Sequence, residues 1–325
     1  MPSGEGGVLI YDGDPGIDDA LAILFALKSL GKGLRAITCV AGNVPVSKAF
    51  WNVAKLIELS KRDGLRHEPE VGIGSAKPMR GVLRTSEHIH GSDGLGETQC
   101  LFSDVDLEAY FAKAKDGIGL IAEVLTSQRG PTRIVAAGPL TNMAKLIARY
   151  PWAAARIGEL VVMGGVFEGD GNVSPVAEYN VYSDPCAARI VFNSGIPMRL
   201  LPLEVTREAT VRREHLETLR RCRSRISEFA LKALEYYIEA HGDRSGKEEC
   251  YLHDPLAMAI AIDESIIKEE ELWRVDVEVR GEITLGQTVA YRGRWAPEGN
   301  RMRVVREVDV GRFLNLFFST LTKEP

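Results

Sequence analysis

The stretch Asp12-Gly-Asp-Pro-Gly-Ile-Asp-Asp19 puts four carboxylates into eight positions, directly after the apolar run Val8-Leu-Ile-Tyr11. A carboxylate at a helix start satisfies orphan N–H groups, so Asp18 or Asp19 could be a simple helix cap. Capping accounts for one aspartate, or two. Four held together repel one another, which raises their pKa values unless a cation compensates. Gly13 and Gly16 let the backbone turn tightly enough to gather these side chains. An all-oxygen donor set selects a hard cation, Ca²⁺ or Mg²⁺, over zinc. His88 and His90 have a spacing seen in metal sites, but no third soft ligand stands nearby, which disfavours zinc there too.

The elements that must position this cluster can be read from the hydrophobic pattern. Val8–Tyr11 and Ala36–Ala41 read as buried strands, with helices over Asp19–Leu30 and Val46–Ser60 after them. Further apolar runs lie at Ile134–Ala137, Leu160–Met163 and Met198–Leu201, separated by helical segments. Asp184-Pro185 reads as a cap and first residue of a helix that ends near Gly195, and Asp254-Pro255 opens Leu256–Ile262 in the same way. Ile226, Phe229, Ala233 and Tyr237 share one face of a helix. Val275–Arg280 and Gln287–Tyr291 read as late strands, and Gly81–Phe102 as a long polar loop. The alternation of strand and helix predicts an α/β fold: one domain over residues 1–325, with a mostly parallel central sheet flanked by helices. In such sheets ligands bind beyond the carboxyl ends of the strands, where the aspartates lie.

Composition narrows the function classes. The 325 residues carry 40 basic and 45 acidic side chains, a net charge of -5, which argues against a nucleic-acid partner. No run approaches the roughly 20 apolar residues of a membrane span. The start of the chain has neither a basic nor an apolar signal region, and Cys39, Cys100, Cys186, Cys222 and Cys250 are widely spaced and odd in number. Both features predict a cytoplasmic protein with reduced thiols. His67, His215 and His241 read as surface residues, and Asn142 and Asn180 could be turn residues. The stretch Arg292 to Arg306 is rich in arginine, and no role follows from its sequence.

The aspartate string resembles the N-terminal signature of the inosine–uridine-preferring nucleoside hydrolases. The resemblance continues in register from residue 12 to residue 255. It runs through Val40-Ala-Gly-Asn43, His88-Ile-His-Gly91, Gly138-Pro-Leu-Thr-Asn142, Met163-Gly-Gly165, Ala177-Glu-Tyr-Asn180 and His253-Asp-Pro255. It implies an open, Rossmann-like nucleoside hydrolase fold and hydrolysis of the N-glycosidic bond of ribonucleosides to base and ribose. It also implies a homodimer or homotetramer. One Ca²⁺ would be held by Asp14, Asp19, Asp254 and the backbone carbonyl of Ala137. Asp14 would act as general base on a calcium-bound water. Asp18, Asn43, Met163, Asn172, Glu178 and Asn180 would contact the substrate, chiefly its ribose. Cleavage leaves negative charge on the base, so a proton donor is needed: His253 is the first candidate and His90 the second.

Two rival readings remain at this level. A Mg²⁺-dependent phosphohydrolase of haloacid-dehalogenase type also carries Asp-x-Asp after its first strand, with Asp12 as nucleophile, although Pro15 breaks that pattern. A non-catalytic nucleoside- or ribose-binding module would keep the sugar contacts; the presence of both Asp14 and His253 favours an enzyme.

Overall fold

The computed structural model describes residues 7–103, 105–292, 295 and 300–323; the chain start and part of the arginine-rich stretch lie outside the described residues. Its strands are β1 (Val8–Gly13), β2 (Leu34–Cys39), β3 (Glu70–Ile73), β4 (Lys115–Asp116), β5 (Thr132–Ala136), β6 (Ile157–Met163), β7 (Met198–Leu201), β8 (Thr210–Arg212), β9 (Glu249–Tyr251), β10 (Ile267–Val277), β11 (Thr288–Tyr291) and β12 (Met302–Val308). Ten of them form one sheet in the order β11-β10-β12-β7-β6-β5-β1-β2-β3-β4, and β8 pairs with β9 separately. From β12 to β4 all neighbours are parallel, and β10 runs antiparallel to both β11 and β12. The expected mostly parallel sheet is therefore present.

Alternation along each strand sorts its side chains onto two cores. Leu9 and Tyr11 of β1, Val135 of β5 and Val161 of β6 face one core, which also takes the helices Ile17–Leu30, Arg225–Ser245, His253–Ile262 and Val310–Thr322. Ile10, Ile134, Leu160 and Val162 face the other, against the helices Gly117–Ser127, Thr141–Arg149 and Pro185–Phe192. The helix Ile17–Leu30 is buried from Ile17 through Leu27. A helix that is apolar all round belongs in a core, and this one packs against His253–Ile262, so the two helices begin side by side.

The chain visits β1, β2, β3 and β4 in one direction across the sheet and then returns to place β5 on the other side of β1. The connections leaving β1 and β5 diverge at that point, which opens a crevice at their carboxyl ends. The aspartate string leaves β1 there, and Ala137 follows β5.

Three sequence expectations need correction. Asp254 is not a helix cap: the helix starts at His253 with Leu252 in the cap position, so Asp254 stands in the first turn with its carboxylate turned elsewhere. The Gly81–Phe102 stretch contains a helical turn at Glu87–His90 and a 3₁₀ turn at Gln99–Phe102, too short to show a hydrophobic period. Strand β10 begins at Ile267, ahead of the expected Val275. Its charged run from Lys268 to Glu271 lacks the apolar pattern of a strand, and pairing with β12 holds it extended.

Asn142 pins the crevice open at its base. Its amide donates to Asp12 Oδ1 at 2.8 Å and to the Cys39 carbonyl at 3.0 Å, and its oxygen accepts from Ser75 N at 2.8 Å. One buried side chain thus ties together the ends of β1, β2 and β3. Asn142→Ala leaves the buried Ser75 N–H without its acceptor and takes one of two donors from the Cys39 carbonyl and from Asp12 Oδ1, which keep Gly74 N and Thr38, and should lower folding stability by about 3 kcal/mol. Urea denaturation of the variant checks this; a midpoint equal to that of the parent would show that the three ends hold without it.

Candidate active site

Asp12 and Asp14 are successive outward-alternating positions at the end of β1, and they part company. Asp12 Oδ1 accepts from the Thr38 hydroxyl at 2.5 Å and from Asn142, so this carboxylate is spent inside the sheet edge. Burial pushes its pKa up to about 6, against the pull of these two donors. Asp14, Asp18, Asp19 and Asp254 gather on the pocket side instead. Carboxylate oxygens of Asp18, Asp19 and Asp254 lie within 4.8 Å of one another, and all three residues are buried. Asp14 sits beside this trio, its own N–H donating to Asp19 Oδ1 at 3.2 Å.

Asp19 and Asp14 are aimed by specific donors. Asp19 Oδ1 accepts from the Tyr11 hydroxyl at 2.7 Å, and its Oδ2 accepts from Gly16 N at 3.0 Å and Asn43 Nδ2 at 3.3 Å. The Gly16 contact is a capping interaction, so the capping role foreseen for Asp19 is real but uses only part of its capacity. Asp14 Oδ2 accepts from Asn43 N. A Cβ at Gly42 would overlap that same oxygen, and one at Gly138 would lie 2.7 Å from Asp14 Oδ1. Both glycines are required by close approach to this side chain.

The electrostatics leave the cluster in need of positive charge. Burial, then the Asp19 charge, pushes Asp18 up to about 7; burial pushes Asp19 up to about 6 despite its donors. Asp14 and Asp254 are raised well above the ordinary carboxylate range by burial and by the neighbouring aspartates. Asp14 Oδ1 and Asp18 Oδ1 are buried without a hydrogen-bond partner. Orphaned buried oxygens and an all-carboxylate donor set fit a hard cation. The Ala137 carbonyl is at the same place, accepting from Asn180 Nδ2 at 3.0 Å.

Above this floor lies a cavity of about 850 Å³. Asp18, Asp254, Ala137 and Met163 line its floor, and Asn43, Asn172, Glu178 and Asn180 line it as well, as expected of substrate contacts. Glu178 is more constrained than its sequence suggests. Its two oxygens accept from Asn180 N at 2.7 Å and from Gly165 N and Val181 N, each at 3.0 Å, which caps the helix Tyr179–Ser183. Asn172 Oδ1 accepts from Tyr179 N at 2.8 Å.

The opposite wall is built of rings. His90 stacks on Tyr237 at 5.5 Å; Tyr237, His241, Tyr251 and His253 follow in edge-on or tilted contacts of 4.4, 5.8 and 5.7 Å. All five line the cavity. His241, read from sequence as a surface residue, is thus part of the pocket. The Arg225–Ser245 helix carries it there one turn beyond Tyr237. That spacing of four was the available signal, together with the core-facing Ile226, Phe229 and Ala233. His90 Nδ1 accepts from Ile17 N at 3.1 Å, and its ring fills the space where a Gly16 side chain would be. His253 Nδ1 meets the Thr206 hydroxyl at 2.8 Å. Burial pulls both imidazoles down to about 3, with His241 as the next contributor for each. Burial thus disfavours the charged, proton-donating form of both rings.

The comparisons with known proteins agree with this geometry. Residues 9–315 match the model of the inosine-uridine preferring nucleoside hydrolase family. The chain belongs to that family. It is 36% identical over 306 residues to a pyrimidine-specific ribonucleoside hydrolase of Salmonella arizonae, covering 94% of each chain. Among solved structures it is similar to a plant nucleoside hydrolase (TM-score 0.86, 32% identity, 98% of this chain and 99% of that one). It is also similar to a purine-preferring ribonucleoside hydrolase from Gardnerella vaginalis (TM-score 0.84, 29% identity, 97% and 98%). This nucleoside hydrolase is an enzyme that hydrolyses ribonucleosides, and its acidic cluster can bind a metal ion. Neither rival reading is favoured by these relatives, and Asp12, the nucleophile a phosphohydrolase would need, is bonded to Thr38 and Asn142 instead.

A folded-state pKa raised above its unfolded value contributes stability that is lost as pH rises through the folded value. Without a cation, the enzyme should therefore lose thermal stability between about pH 4 and pH 7, the span from the ordinary carboxylate value to the raised values of Asp19 and Asp18. Added Ca²⁺ should reverse the trend and raise Tm more at pH 8 than at pH 5, because binding needs the ionised carboxylates. Thermal scans with chelator and with Ca²⁺ at both pH values check this. A calcium-induced shift that is equal at the two pH values, or none at all, would count against a carboxylate-held ion.

Proposed function

We propose that this chain cleaves the N-glycosidic bond of ribonucleosides by water attack at the sugar, with Asp14 as general base and the ribose held by its hydroxyls. The observation that carries the reading is the gathering of Asp14 and Asp19 against Asp18 and Asp254, the two aspartates that line one large cavity, at the switch point of the sheet. Asp14, Asp19, Asp254 and the Ala137 carbonyl would hold a Ca²⁺ ion. Asp18 belongs to the same group of oxygens, and we assign it to the rim of the ion and to the 2′-hydroxyl. Calcium, when bound, would offset the carboxylate charges and polarise the attacking water. Asp14 Oδ1, which has no partner of its own, is available to accept the water's proton.

Asn43, Asn172, Glu178 and Asn180 orient the ribose, and Met163 packs beneath it. As the bond breaks, the sugar becomes positively charged, and the buried carboxylates stabilise that charge in a low-dielectric site. The ring wall receives the base. His90 is committed on one side to Ile17 N and on one face to Tyr237, so it holds the aspartate turn in place. His253 is the better placed donor. It lines the cavity, and it donates as the imidazolium: burial pulls its pKa down, so the ring takes up a proton only as negative charge builds on the leaving base, and it returns to neutral imidazole when it gives that proton to the base. We further propose cytoplasmic work as a homodimer or homotetramer. All five thiols are free, and among the described residues no helix is long and apolar enough to cross a membrane.

A hydrolysis panel of inosine, uridine, adenosine and cytidine, each with its 2′-deoxy form and followed by release of the free sugar, tests this reading. The named relatives divide by base, so both base classes belong in the panel. Loss of the 2′-hydroxyl leaves the ion and Asp18 unpaired, and should slow the reaction by ~10³-fold or more. Equal rates on both sugars would remove the proposed sugar grip. His253→Ala should lower kcat on natural nucleosides by about 10²–10⁴-fold and spare p-nitrophenyl riboside, whose leaving group needs no proton. Equal, severe losses on both substrates would make His253 a structural residue and pass the donor role to His90.

A further inference from the structure

The wall of the cavity formed by Asp170, Gly171, Asn172 and Val173 is a loop between β6 and the helix Tyr179–Ser183. Such a loop needs anchors, and the structure supplies them from distant parts of the chain. Glu204 Oε1 accepts from Phe167 N and Glu168 N. Arg207 donates to the carbonyls of Asp170 at 2.6 Å and Gly171 at 3.3 Å. The Thr288 hydroxyl of β11 accepts from Val166 N at 3.0 Å and donates to the Val166 carbonyl at 2.5 Å.

The outermost anchor uses the arginine-rich stretch that has no role in the reaction described above. Glu168 Oε1 pairs with Arg292 at 2.6 Å and its Oε2 with Arg306 at 2.7 Å. Both guanidiniums lie over the Trp273 ring, at 3.8 and 4.6 Å from its centroid. Phe167, next to Glu168, meets the same indole edge-on at 5.2 Å. Arg306 is held a second time by Glu271 at 3.4 Å. A lone exposed ion pair contributes little. Here one carboxylate bridges two arginines that an indole has already oriented, so little further ordering is needed to make both contacts.

We propose that Glu168 is a positioning residue. Gripped by Arg292 and Arg306 on Trp273, it latches the Asn172 wall of the pocket to the antiparallel edge of the sheet and so sets how tightly the sugar is held. The part that concerns the sugar rests on the functional reading above. The latch is built wholly from β10, the end of β11 and β12, so it gives that edge a role in the site although none of these strands reaches the carboxylates.

Glu168→Gln keeps the shape of the side chain and removes the charge. It should raise KM for a ribonucleoside about tenfold and leave kcat within about twofold, the signature of binding lost equally from ground and transition states. Inhibition by free ribose should weaken by the same factor, and inhibition by the free base should not change. Amide hydrogen exchange over residues 167–173 should quicken in the variant and stay as in the parent elsewhere. Arg306→Lys, which keeps a charge but loses the flat stack on Trp273, should fall between parent and Glu168→Gln in both readouts. Unchanged exchange over 167–173 would overturn the latch. Faster exchange with an unchanged KM, or equal weakening of ribose and base inhibition, would overturn its link to sugar binding. If the parent enzyme released no ribose from any ribonucleoside, the functional reading would fail, and the exchange measurement would still judge the latch.

Discussion

The mutual repulsion of buried carboxylates is the constraint around which this molecule is arranged. Asp14, Asp18, Asp19 and Asp254 are removed from water at one point, and every neighbouring feature serves to make that tolerable. Donors from Tyr11, Gly16 and Asn43 spread over their oxygens. Two helices, Ile17–Leu30 and His253–Ile262, begin at the cluster and turn the positive ends of their dipoles toward it. These groups offset part of the charge and leave two oxygens without partners, which is the condition of a site prepared for a cation and for a cationic sugar.

The sheet explains why the cluster can form there. The reversal of direction at β1 creates the crevice, and the apolar body of the 17–30 helix, from Ala20 to Leu27, drives the segment after β1 into the core with its aspartates at the mouth. Packing of that helix on 253–262 then delivers Asp254 to the same spot. Burial energy from the helix bodies holds the aspartates together against their repulsion, a division of labour in which apolar packing stabilises a locally unfavourable functional centre.

The walls of the pocket differ in physical character. The floor is carboxylate, one wall is a loop tied down by backbone hydrogen bonds and ion pairs, and the opposite wall is a file of aromatic rings. Such a division suits a substrate with a polar sugar and a flat, apolar-faced base. On the proposed reading, carboxylates would act where positive charge develops, while rings and an imidazole would meet the end where negative charge collects.

The aspartate string, the strand–helix alternation and the hardness of the expected cation were legible in the sequence because each depends on residues close together along the chain. Periodicity and local spacing also sufficed to place Phe229, Ala233 and Tyr237 on one helical face. Tertiary structure decided which carboxylates converge. Asp12 and Asp14 look alike in sequence, yet Thr38 and Asn142 claim the first and leave the second for the pocket. Asp254 read as a helix cap because a local Asp-Pro pair cannot reveal that Leu252 takes that position. The contacts of Glu168 were illegible for the same reason, and the helical face of His241 was legible while the rings it meets were not. A single histidine or arginine carries no record of the ring or carboxylate it will meet, and those meetings are fixed only when long-range packing brings distant segments into contact.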